Sequence, residues 1–511
     1  MQSVFQAALR SWAVPPAATF AIVLSALVYL RGWWLLRRAG VPFLPPWRAV
    51  SFLSGLFALW LALASPLDVL NAFLLTAHMS QHMVLMMVAP PLVLLGAPLI
   101  PIVRGLPIFA AREFAGPFLN WPLAQRIGNA LIHPVVALLL MSLAMFAWHT
   151  PALYELALRS STWHQVEHAC FFLTSLIFWW PVVQPWPSRE QWPRWAMVPY
   201  LLVADLENTA LSAILVFSDR VLYPSYSAAP RLFGFSALDD QAAAGSIMWV
   251  IGSLAFIVPA VAIAVQCLSR KPLPEAFAPP RRRETSRWDA LWSSGIKSVS
   301  GFAKARWKGA RAEAVTFVVL FAVAGFCFAR LLSGGGSDDD DLALRFQAAS
   351  GPFAVAVFAP TGNLALGPSP FSVLVQDRNT QEVLLDSTVD LTARPSADPQ
   401  GQPSTVRASY QDSQNKLLQT VELDLPSAGD WTMAVAVHRD SQSAEFSLPI
   451  SVAKAETGFE FPWSYLVVLV FAALLSVVYF RRHRAPIARG LPMSSPALVH
   501  KENAKTSIGC R

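Results

Sequence analysis

Five of the nine histidines occur in three short stretches of apolar sequence. His78 and His82 are four residues apart in HMSQHMVLMMVAPP, and His164 and His168 repeat that spacing in WHQVEH. Residues four apart share one face of an α-helix, so each pair is predicted to present two imidazoles in one direction. His149 is the fifth. Ionisable side chains in a membrane are costly unless they are paired, solvated or used, so the pattern favours a metal site over five separate interfacial histidines.

The residues around these histidines narrow the choice of metal. Imidazole binds copper, zinc, iron or nickel, whereas thioether sulfur favours Cu(I). Met79, Met83, Met86 and Met87 accompany the first pair, but methionine also fills gaps in apolar cores, so we expect at most one or two of them to bind metal. Glu167 lies between the histidines of the second pair, where a carboxylate either binds metal or orients an imidazole. The four cysteines show no CxxC spacing, which argues against a thiolate site.

Membrane-spanning helices must position these side chains. Of the 511 residues, 54% are hydrophobic and 14% charged, which is far more apolar than a soluble protein. About 20 apolar residues are needed to cross ~30 Å of hydrocarbon. Nine such runs are predicted, at 17–36, 49–65, 73–101, 131–148, 165–183, 196–217, 246–268, 313–332 and 464–480.

Basic residues predict the orientation of these spans, because Lys and Arg collect in cytoplasmic loops. They follow the odd-numbered spans, as in the basic stretch 270–311, whereas 66–72 and 150–162 are nearly free of them. The N-terminus and all five histidines are therefore predicted to lie on the outer side. The net charge of +7 therefore reports topology, and the basic stretch 270–311 indicates contact with anionic lipid and not with nucleic acid.

Other polar residues occur at the same predicted level. Asp240 and Gln241 are predicted in the outer loop before the seventh span, and Met248 follows Gln241 by seven residues, hence on the same helical face. Asp205 and Glu207 lie within the sixth span. There they either guide cations inward or pair with neighbouring polar side chains.

The segment 342–455 differs from everything before it. Short runs such as FAVAVF, STVDLTA and WTMAVAVH alternate with turn residues, a pattern typical of an immunoglobulin-like antiparallel sandwich of about seven strands. The predicted fold class is an all-α polytopic membrane protein with a bundle of about seven spans, plus a periplasmic β-sandwich flanked by two further transmembrane helices. The predicted parts are the seven-span module 1–270, a basic cytoplasmic linker 271–311, a transmembrane helix 312–333, a Gly/Asp tether 334–341, the sandwich 342–455, a transmembrane helix 462–480 and a basic tail 481–511.

The first 270 residues resemble the CtaG family of cytochrome c oxidase assembly factors. The matching stretches are HMSQHMVLMMVAPPLVLLGAP, WHTPALYELAL, WHQVEHACFFLTSLIFWWP, LYPSY and DDQAAAGSIMW, in that order. The resemblance implies functional roles for His78, His82, His149, His164, His168, Glu167, Asp240, Gln241 and Met248. Residues 350–450, with GPFAVAVFAP and AGDWTMAVAV, resemble the YtkA-like periplasmic domains found near copper and oxidase systems.

These resemblances and the histidine pattern together predict a non-enzymatic assembly factor of the bacterial inner membrane. It would bind copper transiently, as Cu(I), at the periplasmic face and help to metallate a haem–copper oxidase. The expected partners are subunits of that oxidase or copper donor proteins. Two alternatives stay open: a copper transporter that uses Asp205 and Glu207, and a membrane redox protein whose facing histidines ligate haem.

Overall fold

The computed structural model describes residues 2–269 and 342–453, apart from short gaps at 41–43, 187, 189–190, 361–363, 365, 397–402 and 412. The first range is a helical membrane module and the second is a β-sandwich. The predicted spans at 313–332 and 464–480, and the linker, tether and tail next to them, lie outside the described residues.

Sixteen α-helices make up the described part of the membrane module. Eight helices coincide with the apolar runs of the sequence: α2 Pro16–Arg38, α3 Pro46–Ala64, α5 Leu75–Met83, α6 Ala89–Leu95, α11 Pro134–Trp148, α13 Ser161–Val183, α14 Met197–Phe217 and α16 Ala237–Leu268. The other helices connect them: α1 Gln2–Arg10, α4 Pro66–Leu70, α7 Leu99–Gly105, α8 Ile108–Ala110, α9 Gly116–Asn120, α10 Pro122–Leu131, α12 Pro151–Arg159 and α15 Pro224–Ala228.

Six helical stretches of the described chain are long and apolar enough to cross a membrane. A seventh span exists if α10 and α11, which meet at an angle of 69°, count as one. The bend has a local cause: His133 precedes Pro134 and adopts an extended backbone (ψ 128°), because a residue before proline avoids the helical region. The prediction of a polytopic membrane protein with about seven spans in this part is thus confirmed.

The third span carries an irregularity just beyond its histidines. A π-helical turn occupies Val84–Val88. Pro90 has no N–H and cannot donate to the carbonyl of Met86, four residues earlier. The indole Nε1 of Trp179 on α13 donates to this carbonyl instead, at 3.0 Å. The break between α5 and α6 is therefore hydrogen-bonded to α13, the helix that carries the second histidine pair.

The seventh span begins earlier than its apolar run predicted. Ser236 and Asp239 form a capping box, in which each side chain bonds to the other residue's backbone N–H, and α16 starts at Ala237. Asp240 and Gln241 consequently lie in the first turn of α16, so their predicted position in a loop was wrong. The physical reason is that the cap stabilises polar residues in the first helical turn.

The C-terminal part consists of two four-stranded antiparallel sheets. One has the order β1-β2-β3-β6 and the other β5-β4-β7-β8. The strands are β1 Leu342–Ser350, β2 Phe353–Pro360, β3 Gly367–Asp377, β4 Thr388–Pro395, β5 Ser404–Arg407, β6 Gln419–Leu425, β7 Gly429–Arg439 and β8 Gln442–Val452. Side chains from both sheets form one apolar core that includes Val357, Val373, Leu391 and Val435. This confirms the predicted sandwich; the additional strand, β1, carries Arg345 and Gln347 and lacks a continuous apolar run.

Candidate metal centre

The two histidine pairs meet between α5 and α13. Ring centroids are 4.3 Å apart for His78 and His82, and 4.2 Å apart for His164 and His168. Across the two helices, the centroids are 5.2 Å apart for His78 and His164 and 5.5 Å apart for His82 and His168. The four-residue spacing on each helix makes this possible, because it keeps both imidazoles of a pair on the facing side.

Glu167 joins this cluster from α13. Its Oε2 lies 3.7 Å from Nε2 of His78, and its Oε1 lies 3.9 Å from Nε2 of His82. Within the described chain, two sets of donor atoms lie within 4.8 Å of one another: His78, His82 and His168, and His78, His164 and Glu167. We call the five residues His78, His82, His164, Glu167 and His168 the ligand cluster.

Four of the five residues of the ligand cluster are buried and His164 is half-buried, and the described contacts include no hydrogen bond between members of the cluster. His78, His82 and Glu167 are 0% exposed. Among the described residues, fifteen buried side-chain N and O atoms have no hydrogen-bond partner, and seven of these belong to the ligand cluster. Burying a polar group without a hydrogen bond costs about 1–3 kcal/mol by protein mutational data, and an unpaired carboxylate costs more. A cation bound between these atoms would remove that cost.

A hydrogen bond from outside the cluster orients His78. The hydroxyl of Tyr226 donates to the carbonyl of Asn71 at 2.7 Å and lies 3.2 Å from Nδ1 of His78. Because the hydroxyl proton is used on the carbonyl, Nδ1 of His78 donates to the tyrosine oxygen. This tautomer leaves the lone pair on Nε2, which faces Glu167, free for a metal.

Three tyrosines form the wall of the site beside His78. Tyr154 stacks on Tyr223 with centroids 3.9 Å apart, and its hydroxyl lies 3.5 Å from that of Tyr226. Burial raises the pKa of Tyr154 and Tyr226 well above the usual value, so both hydroxyls stay protonated at neutral pH. The LYPSY stretch supplies both Tyr223, the extended residue directly before the short helix α15, and Tyr226 within that helix.

The fifth histidine lies apart from the ligand cluster. Nδ1 of His149 donates to the carbonyl of Met145 at 2.7 Å, and Tyr223 donates to the carbonyl of His149 at 3.1 Å. Its Nε2 is buried and unpartnered, as in the ligand cluster. His149 is nevertheless outside both sets of converging donor atoms in the described chain.

Asp240, which the sequence predicted at the metal site, caps a neighbouring helix in this structure. Its two carboxylate oxygens accept hydrogen bonds from the backbone N–H groups of Leu75 and Thr76, at 2.7 and 3.1 Å. These donors are the free amides at the start of α5, which a helix cannot satisfy by itself. Asp240 on α16 therefore caps the helix that carries His78.

Gln241 and Met248 also have structural contacts. Gln241 accepts from the N–H of Leu222 at 2.8 Å and donates to the carbonyls of Leu215 and Arg220. Met248 is buried in the apolar core, together with Met79 and Met83. Neither residue belongs to the two donor sets of the described chain.

The polar residues of the sixth span lie on α14, as predicted. Glu207 accepts a hydrogen bond from Ser142 on α11 at 2.6 Å. The Oδ1 atom of Asp205 is buried without a partner. Glu207 thus pairs with a neighbouring helix, which is one of the two roles that the sequence left open.

The helices, their spans and the buried imidazole–carboxylate cluster define a polytopic membrane protein with a candidate metal centre. Residues 27–270 match the family model described as cytochrome c oxidase caa3 assembly factor (Caa3_CtaG). The family resemblance predicted for the membrane module is confirmed.

Curated relatives cover the same part of the chain. Uncharacterized proteins of Mycobacterium bovis and Mycobacterium tuberculosis are each 26% identical over 271 residues, which is 50% of this chain and 39% of the relative. An uncharacterized protein of Mycobacterium leprae is 26% identical over 249 residues, or 48% of this chain and 38% of the relative. The chain therefore matches about two fifths of the length of these relatives. No solved structure matches the chain.

Proposed function

We propose that this membrane protein is a cytochrome c oxidase assembly factor that binds copper transiently in its ligand cluster and helps to metallate a haem–copper oxidase. The role is one of binding and transfer and involves no catalysis. The family of the membrane module supports the assembly role. The observation that carries the copper site is the convergence of four imidazoles and Glu167, whose buried Nε2 atoms and carboxylate oxygens have no hydrogen-bond partner in the described chain.

The chemistry of the donors supports copper as the cargo. Four neutral imidazoles suit a transition metal, and nearby sulfur shifts the preference to Cu(I). Met79 and Met83 are 0% and 4% exposed and lie on α5, beside the histidines. Met79, Met83, Met86 and Met87 belong to the same buried core. This surrounding core is apolar and polarizable, as expected around a soft monovalent cation.

The site is proposed to face the periplasm, with the copper donor and the oxidase subunit as its partners. This proposal is supported by the distribution of Lys and Arg, which favours an outer position for the N-terminal ends of α5 and α13. A copper ion passed between proteins has to enter and leave from that side.

The haem alternative receives little support from the geometry. A haem ligated by α5 and α13 requires a slot for the macrocycle between the two helices. The imidazoles pack against each other there, with centroids 4.2 to 5.5 Å apart for the four closest pairs. An absorption spectrum of the purified protein tests this, because a Soret band that shifts on reduction would contradict the copper proposal.

The central experiment is anaerobic Cu(I) titration of the full-length protein in detergent, in competition with a coloured chelator. We expect one high-affinity Cu(I) per chain and its loss in the double variant His78→Ala/His82→Ala. The matched control is His133→Ala/His438→Ala, which also removes two imidazoles, but from outside the ligand cluster. In cells, the first double variant is expected to leave the oxidase apoprotein made but short of copper. Normal copper binding and oxidase activity in that variant would rule the proposal out.

A further inference from the structure

The β-sandwich contacts the membrane module through an apolar interface. Phe73, in the segment between α4 and α5, meets Phe358 of β2 edge to face with centroids 5.6 Å apart. The buried residues of this contact, here called the sandwich–module interface, are Val4, Ala8, Phe73 and Leu232 from the module and Ala356, Phe358, Leu374, Val383, Leu417 and Leu418 from the sandwich.

The interface is encoded in the strand β2, which is buried on both faces. Side chains alternate between the two faces of a strand. Val355 and Val357 point into the sandwich core, whereas Ala356 and Phe358 belong to the sandwich–module interface. The sequence FAVAVF, interpreted above as one alternating run, therefore serves two apolar contacts. A sandwich that stood alone in water would carry polar residues on one of these faces.

Hydrogen bonds continue from this interface to the ligand cluster. Nε2 of Gln376 on β3 donates to the carbonyl of Arg231 at 2.6 Å. Nη1 of Arg231 donates to the carbonyl of Tyr226 at 2.7 Å, and the hydroxyl of Tyr226 contacts His78 at 3.2 Å. Four residues thus connect the sandwich to a ligand of the cluster.

The apolar contact reaches the same histidine by a second route. Phe73 lies two residues before the start of α5, which carries His78 and His82. Leu70 and Leu74, on either side of Phe73, are packed against the interface. The segment that leads into α5 is therefore held by the sandwich from one side and by Asp240 from the other.

Copper exchange requires this region to move. His78, His82 and Glu167 are fully buried, His168 is 7% exposed and His164 is half-buried. The Nε2 atoms of all four histidines are buried, so a partner protein does not reach them in the structure as it stands. Regions that open in native proteins are those with the fewest stabilising contacts. The sandwich–module interface is an apolar contact. It packs against the segment before α5 and, through Gln376 and Arg231, is hydrogen-bonded to the backbone of Tyr226.

We propose that the β-sandwich is the cover of the ligand cluster: docked at the sandwich–module interface it keeps the cluster closed, and its release opens the cluster to solvent and to a partner protein. That the cluster binds copper rests on the proposed function. That the docked sandwich shields the histidines from solvent does not depend on it.

Histidine modification by diethyl pyrocarbonate, mapped by mass spectrometry on the full-length protein in detergent, tests this cover. His438 is exposed on β7 and serves as the reference within the same chain. In the wild type we expect His78, His82 and His168 to react about tenfold or more slowly than His438, because they react only after opening. In Phe73→Asp and in Phe358→Asp, which place a charge in the interface from either side, their rates are expected to rise toward that of His438.

The matched control is Val406→Asp, which adds the same charge to β5 at a side chain that is 37% exposed and outside the interface. It should react like the wild type. Phe358→Asp could unfold the strands of the sandwich. Because Phe73 is not part of the sandwich, Phe73→Asp tests undocking without that complication. Full protection in Phe73→Asp, equal loss of protection in Val406→Asp, or unprotected histidines in the wild type would each overturn the proposal.

A second measurement distinguishes the proposed shielding by the sandwich from the proposed copper binding. Release of Cu(I) to an excess of chelator is expected to be several-fold faster in both interface variants than in Val406→Asp. A wild type that binds no Cu(I) would defeat the proposed function, whereas the modification rates would still decide whether the sandwich covers the histidines.

Discussion

The hydroxyl of Tyr226 accepts the Nδ1 proton of His78 across 3.2 Å while it donates its own proton to the carbonyl of Asn71. This single contact fixes which nitrogen of His78 faces Glu167. It also shows how residues 148 positions apart in the chain become parts of one site.

Replacing Tyr226 by phenylalanine removes this contact and keeps the ring. We expect Tyr226→Phe to bind Cu(I) about 10–100-fold more weakly, since loss of a partner that orients a metal-binding histidine typically has that effect. Chelator competition measures it. The control is Tyr200→Phe, which removes a buried hydroxyl bonded to the carbonyl of Phe178 at 2.9 Å, on α14 and away from the cluster. Equal affinities in the two variants would contradict the assigned role of Tyr226.

Asp240 is expected to stabilise the fold and not to bind the metal. Asp240→Asn keeps one acceptor but loses the charge that faces two backbone amides, so we expect a loss of about 0.5–2 kcal/mol, as for other helix caps. Thermal unfolding in detergent gives the size of the effect, and Cu(I) titration should show an unchanged stoichiometry. Asp239→Asn, next to it on α16, is exposed and caps only its own helix. A variant of Asp240 that folds normally and loses copper would make it a ligand after all.

Two adjacent tryptophans allow a matched test of the bond to Met86. Trp179→Phe leaves the Met86 carbonyl without a donor, and an unsatisfied buried acceptor costs about 1–3 kcal/mol. In Trp180→Phe the indole N–H that is lost has no partner among the described residues, so the change is expected to be nearly neutral. The measurement is the difference in melting temperature between the two variants. Similar melting temperatures would show that the Met86 carbonyl does not depend on the indole.

Gly252 is expected to be required for the contact between α14 and α16. A Cβ atom at this position would come within 2.5 Å of the side chain of Asn208, which is buried and donates to the carbonyl of Met248. Gly252→Ala should destabilise the protein by about 1–3 kcal/mol through overpacking. At Gly128 on α10 a Cβ meets nothing within 4 Å, so Gly128→Ala should be neutral or slightly stabilising. An equally mild effect at both positions would show that α14 and α16 adjust freely.

Local spacing was sufficient to predict the core of the candidate site. The pairs His78/His82 and His164/His168 depend only on helical periodicity, and Glu167 follows from its place between two histidines. The role of Asp240 could not be predicted, because the amides that it caps lie 165 and 164 positions away in the sequence. The same holds for Tyr226, whose distance from His78 is set by the packing of α15 against α5.

For the fold, too, local sequence patterns predicted the elements but not the contacts between distant parts of the chain. Apolar runs predicted the spans of the membrane module, and alternating runs predicted seven of the eight strands that the structure describes. The predicted spans at 313–332 and 464–480 lie outside the described residues. The π turn at Val84–Val88 was missed, because its form depends on contacts with α13 that the local sequence does not reveal. The interface on β2 was missed because a continuous apolar run does not reveal what covers each of its two faces.

The double burial of β2 limits how the sandwich can be handled as a separate piece. Cut out of the chain, residues 342–453 would expose Ala356, Phe358, Leu374 and Leu417 together, and a contiguous apolar patch of this kind promotes self-association. The sandwich is therefore not expected to be soluble as an isolated domain, and a version for structural or binding work needs polar residues at these positions. A chimera that carries an unrelated sandwich would lose the contact with Phe73.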